Sequence, residues 1–171
     1  KMPLNKNINI SSKIAEIAHK YNISLEGEIG EVGYYKGQSS KGTDLSEAKI
    51  YASKSNVDAM AISVGNTHLQ TSKVAKIDYN KILEIQKITK LPLVLHGSSG
   101  ISNFMRKKIA TKTNVAKFNI GTELRMIGCR ALRDSYNKNI KNFDKISIIE
   151  PSIKELKKAT INVIKNIGPQ S

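Results

Sequence analysis

Residues 58–65, DAMAISVG, form a short apolar run closed by a glycine. It lacks the alternation of a half-buried strand, so it reads as a strand covered on both faces, as in parallel sheets. PLVLHG (92–97) repeats the design, ISLEGEIG (23–30) alternates between glycines, and VAKFNIG (115–121) makes a fourth strand. Helical spacing fills the intervals. SKIAEIAHKY (12–21) sets Ile14, Ile17, Ala18 and Tyr21 on one stripe, with Ser11 and Ser12 as N-cap candidates. Thr43-Asp44 with Ser46-Glu47 opens a helix over about 44–55 in capping style. Asp78–Thr89 places Ile82, Ile85 and Ile88 near one face, and 102–111 makes a further helix. GYYKGQSSKG (33–42) reads as a loop. From about 122 the chain turns helical, with a break around 142–152 where Pro151 is expected to start the last helix. Four βα units in one domain, 1–171, predict a parallel α/β sheet. Half of an eight-stranded (βα)8 TIM barrel and a small doubly wound sheet both fit this periodicity.

Composition narrows the function classes. The 171 residues carry a net charge of +14, from 28 Lys and Arg against 14 Asp and Glu. The basic residues include only four arginines and are scattered, with clusters such as Arg106-Lys107-Lys108 spaced for a solvated helix face. No aromatic side chains interleave them to stack on bases, which argues against nucleic acid as a partner. No apolar run reaches the roughly 18–20 residues that span a bilayer, so no membrane is expected. One cysteine, Cys129, fits a reducing compartment and reads as a small buried helix residue. The first residue is Lys1, so the chain is expected to be processed or cut from something longer.

The chemically interesting residues fall in one kind of place. Glu28, His68, His96 and Asn119 each sit at or just past the C-terminal end of an expected strand, where parallel α/β folds build their sites. Two histidines ending adjacent strands, with a carboxylate ending the one before, make a plausible zinc ligand set. His19, mid-helix and away from any strand end, reads as structural. HGSSG (96–100) offers small residues that let backbone N–H groups approach an anion, with a helix start behind them. FNIGTE (118–123) repeats the arrangement after the next strand.

Five segments in order carry a resemblance: GEIG (27–30), TDLSEAK (43–49), VGNTH (64–68), LPLVLHGSSG (91–100) and AKFNIGTELR (116–125). Together they resemble the class II fructose-bisphosphate and tagatose-bisphosphate aldolases, from about residue 10 to the C-terminus. The resemblance implies a (βα)8 barrel of which this chain supplies the last four βα units plus C-terminal helices. It implies zinc-dependent, reversible cleavage of a ketose 1,6-bisphosphate to dihydroxyacetone phosphate and glyceraldehyde 3-phosphate. By matching positions, His68 and His96 would be zinc ligands and Glu28 a carboxylate near the metal. Gly97, Ser98 and Ser99 would hold a phosphate, with Asn119, Ile120, Gly121 and Thr122 completing the substrate site. A phosphorylated sugar substrate, a homo-oligomer and cytoplasmic sugar metabolism are implied in the same way.

Three departures from the family pattern stand out. The His-x-Asp-His segment that carries the first ligand and the catalytic aspartate has no match, so no catalytic residue is assigned to this chain and it is expected to be inactive alone. Leu69 stands where the family has glycine after the second ligand histidine. Tyr34-Tyr35-Lys36 replaces an acidic loop. These departures motivate an alternative expectation, a non-catalytic half-barrel serving as a binding or assembly module.

Overall fold

The computed structural model describes residues 2–34 and 42–168. A long helix, α1 (Leu4–Lys20), leads into β1 (Glu26–Ile29) and the two-residue β2 (Gly33–Tyr34). Then come α2 (Leu45–Lys54), β3 (Ala59–Ile62), the two-residue β4 (Thr67–His68) and α3 (Tyr79–Ile88). Next are β5 (Leu93–Leu95), a 3-10 turn at Ser98–Gly100, α4 (Asn103–Lys112) and β6 (Val115–Phe118). Helices α5 (Thr122–Lys138) and α6 (Lys145–Ile167) close the chain. The sheet order is β1-β3-β5-β6, all parallel, with β2 and β4 forming a second small parallel pair.

The alternation of strand side chains decides what each face does. Met60, Ile62, Leu93 and Leu95 pack with Ile82, Ile85, Ile109 and Tyr51 into one cluster between sheet and helices. Each such buried aliphatic side chain contributes about 1.5–3 kcal/mol. Gly27 also faces the helices, because a Cβ there would collide with the Tyr51 hydroxyl. Its neighbours Glu26 and Glu28 therefore project from the opposite face. On that face the small buried residues Ala61 and Val94 leave room above the middle strands. Capping follows the sequence: the Asp44 side chain accepts from the N–H groups of Ser46 and Glu47, and Asp78 and Ser102 cap α3 and α4.

Several expectations require correction. Helix α1 begins at Leu4, so Ser11 is no cap. Ser11 lies mid-helix with its hydroxyl 2.8 Å from that of Tyr51. The buried stripe of α1 is accordingly Leu4, Ile8, Ser11 and Ala15, while Ile14, Ile17 and Tyr21 are exposed. Docking on α2 through Tyr51, rather than aliphatic spacing, chose the face. Arg106 does not share the solvated face of Lys107 and Lys108: it is 1% exposed and ion-pairs with Glu123 at 3.0 Å. Pro151 lies inside α6 rather than at its start. The helix begins at the Asp144 cap, whose carboxylate accepts from the N–H groups of Ile146 and Ser147. Cys129 is exposed, because α5 has no fully buried residue. Tyr35 and Lys36 lie outside the described residues.

Candidate metal and phosphate site

The two expected ligand histidines meet. The His68 and His96 rings stand 6.0 Å apart between centroids and are tilted by 60°. His68 belongs to β4, the short strand that follows β3, and His96 follows β5. One amide fixes the two segments. Buried Asn66 accepts from Val64 N–H at 2.7 Å and donates to the carbonyls of Ile62 and His96 at 3.3 and 2.9 Å. Gly97 brings the loops together from the other side. Its φ is +61°, and a Cβ there would lie 2.5 Å from the Thr67 carbonyl oxygen. Only glycine satisfies both the conformation and the approach.

Burial and the neighbouring His96 lower the His68 pKa below its usual 6.5, with Glu28 pulling the other way. The ring is therefore neutral at pH 7, the form that ligates a metal. His96 Nε2 is 2.8 Å from Glu26 Oε1, and the other carboxylate oxygen of Glu26 accepts from Lys117 Nζ at 2.7 Å. Burial raises the Glu26 pKa, but the bonds from Lys117 and His96 outweigh it and hold the carboxyl below its ordinary value. Glu28, on the same face, is exposed. Among the described residues, no three His, Cys, Asp or Glu side chains gather at metal-holding distance. The chain thus offers a divalent metal two imidazoles. His19 lies in the last turn of α1 rather than mid-helix, and pairs with Asp58 at 2.9 Å.

Beside the histidines lies a cavity of about 460 Å³ lined by Thr67, His68, Leu69, Gly97, Ser99 and, from the next unit, Phe118 to Thr122 and Arg125. Gly97, Ser99, Asn119, Ile120, Gly121 and Thr122 are all among its lining residues. Ser98 is not. It is fully buried, its hydroxyl donating to the Leu95 carbonyl at 2.8 Å and its N–H to the Asn119 carbonyl at 3.1 Å. Ser98 therefore shapes the turn, and Ser99 faces the cavity. The Ser99 hydroxyl accepts from the Glu123 N–H at 3.1 Å. Gly121, at the N-cap of α5, supplies no side-chain cap, which leaves the positive end of a 17-residue helix beside the cavity. Arg125 adds a guanidinium, bonded to Thr122 Oγ1 at 3.2 Å.

Arg125, Asn66 and Glu26 escaped the sequence reading as site residues. Arg125 lies one turn into α5 from Gly121, a spacing that points it back at the helix start. Asn66 lies within VGNTH (64–68), where nothing local signals its three bonds. Glu26 pairs with a residue seventy positions away, which no local pattern reveals.

A parallel α/β sheet carries two histidines and a glycine-lined cavity together at its strand ends, a candidate site for a metal and a phosphate. Over residues 1–170 the sequence matches Fructose-bisphosphate aldolase class-II, and the chain belongs to that family. It is 30% identical over 169 residues to the 6-phospho-5-dehydro-2-deoxy-D-gluconate aldolase of Shouchella clausii (strain KSM-K16). That alignment covers 97% of this chain and 57% of the relative. The crystal structure of the YdjI aldolase from Escherichia coli K12 superposes with a TM-score of 0.78 at 25% identity, covering 98% of this chain and 57% of that one. The fold is shared with fructose-bisphosphate aldolase (Fba) from Campylobacter jejuni, with a TM-score of 0.76 at 17% identity over 96% of this chain and 56% of that one. The chain thus spans a little over half the length of the relatives it matches. Among the described residues, no helix is long and apolar enough to cross a membrane.

Proposed function

We propose that this chain supplies the histidine pair and phosphate cradle of a zinc-dependent aldolase that cleaves a phosphorylated ketose. The sheet would then be half of a (βα)8 barrel, with β1 and β6 as the edges that the other strands complete. The observation that supports this reading most is the convergence of His68 and His96 beside the Gly97–Ser99 turn and the N-terminus of α5. His68 and His96 would hold the metal, with Glu28 able to approach it. Zinc, when bound, polarises a carbonyl oxygen and stabilises the charge that develops on it. Gly97, Ser99, Gly121, Thr122 and Arg125 would bind and orient the phosphate, Ser99 through its hydroxyl and Arg125 through charge. Asn119 and Ile120 would line the part of the cavity nearest the sugar. No proton acceptor is assigned to this chain.

Fructose 1,6-bisphosphate and tagatose 1,6-bisphosphate are the first substrates to test, and the relative from Shouchella clausii adds 6-phospho-5-dehydro-2-deoxygluconate. Cleavage of each by the native protein that carries this chain would be followed with and without EDTA. The expected result is cleavage of one of them that EDTA abolishes, zinc restores and His96→Ala removes. Cleavage that survives both EDTA and His96→Ala would sink the proposal. A second reading, phosphate-ligand binding without turnover, is favoured by the lack of a gathered third ligand among the described residues and by Leu69 at the cavity. It predicts phosphate binding with no cleavage of any of the three sugars.

A further inference from the structure

On the face of the sheet away from the helices, three strands bring together three residues that no local pattern connects. Glu26 opens β1, His96 follows β5 and Lys117 lies in β6. Glu26 stands at the centre: Oε1 is 2.8 Å from His96 Nε2 and Oε2 is 2.7 Å from Lys117 Nζ. A carboxylate can only accept hydrogen bonds, so the His96 nitrogen that faces it carries the hydrogen. In the neutral ring the lone pair is then confined to Nδ1.

We propose that Glu26 is a positioning residue for His96, fixing the ring in the Nε2–H tautomer so that Nδ1 is the atom offered to a divalent cation. Lys117 holds the carboxylate in place from the far side of β5. Its own side chain is 55% exposed, so it anchors Glu26 without itself being buried. Carboxylate-to-histidine pairs of this kind orient a ligand ring and raise its basicity, and their loss lowers metal affinity by about 10–100-fold. Backbone support is already present, because Asn66 fixes the His96 carbonyl. Glu26 supplies the remaining constraint, the rotation and protonation of the ring itself.

This inference rests on the reading of His96 as a metal ligand, and two readouts separate the two claims. The first needs no metal: ring nitrogen chemical shifts of His96 in the metal-free native protein report its tautomer. The expected result is Nε2–H in the wild type and a mixture of tautomers in Glu26→Ala. The second is zinc affinity, measured by competition with a chromogenic chelator, for wild type, His96→Ala, Glu26→Ala and Glu26→Gln. Glu26→Ala should bind zinc about 10–100-fold more weakly. Glu26→Gln, which keeps the size and an acceptor oxygen, should fall between it and wild type and serves if the alanine variant does not fold. An Nδ1–H tautomer in the wild type overturns the proposal. So does unchanged zinc affinity in both Glu26 variants while His96→Ala loses it. If His96→Ala itself leaves affinity unchanged, the metal reading of the site falls and the role of Glu26 falls with it.

Discussion

The side-chain amide of Asn66 reaches across thirty residues to donate to the His96 carbonyl at 2.9 Å. Through its other two bonds the same amide closes the end of β3. One 1%-exposed side chain thus joins the segments that carry both histidines. Asn66→Ala leaves the Val64 N–H and two carbonyls without that partner. A buried polar group so orphaned costs about 1–3 kcal/mol. Urea unfolding should show a loss in this range, and ring NMR should show the His68–His96 pairing broadened. Unchanged stability would mean that water replaces the amide without penalty.

Gly97→Ala should be among the most damaging single-atom changes in the chain. It combines a left-handed backbone, φ +61°, with a Cβ 2.5 Å from the Thr67 carbonyl and 3.0 Å from the His68 nitrogen. The conformation alone costs about 1–2 kcal/mol, and the contact forces β4 away from the turn. Thermal denaturation should reveal the destabilisation, with phosphate binding lost in whatever remains folded.

Leu69 poses the opposite case. It is not glycine, yet its φ is +56°, and it lines the cavity with 54% of its surface exposed. Leu69→Gly relieves the strained conformation and gives up little burial. We expect an unchanged or higher stability, by up to about 1 kcal/mol, and tighter inorganic phosphate binding by calorimetry. Weaker binding would show that the leucine is itself a wall of the ligand site.

Glu123 should give the fold an acid-sensitive component. Burial raises its pKa, but the bonds from Lys73 and Arg106 outweigh burial and hold it below the ordinary 4.5. A depressed folded-state pKa contributes stability that is fully present above the unfolded value and is lost as pH falls through the folded one. Urea midpoints should therefore hold steady down to about pH 4.5 and fall below it. Glu123→Gln should be less stable at neutral pH and show a shallower fall in acid. Identical pH profiles for the two proteins would refute the assignment.

The strands were legible because short apolar runs ending in glycine have few other uses, and the structure places all four of them in register. The helix caps at Asp44, Asp78 and Ser102 were equally local. What escaped the sequence depends on distant partners. The docking face of α1 was set by the Tyr51 hydroxyl at Ser11, against the aliphatic stripe of Ile14 and Ile17. Arg106 left its basic run because Glu123, on another helix, could pair with it. At the site, strand-end position located His68, His96 and the glycine turns. It could not tell Ser98 from Ser99, because that depends on which hydroxyl the Leu95 carbonyl captures.

The order of strands in the sheet is also the order in which they leave the ribosome. Each βα unit can dock on the one already made, without waiting for a distant pairing. The histidine-bearing segments after β3 and β5 are therefore in place before β6 and α5 arrive to close the cavity. The folding nascent chain would gain its histidine pair before the cavity beside it, a sequence of events written into nothing more than strand succession.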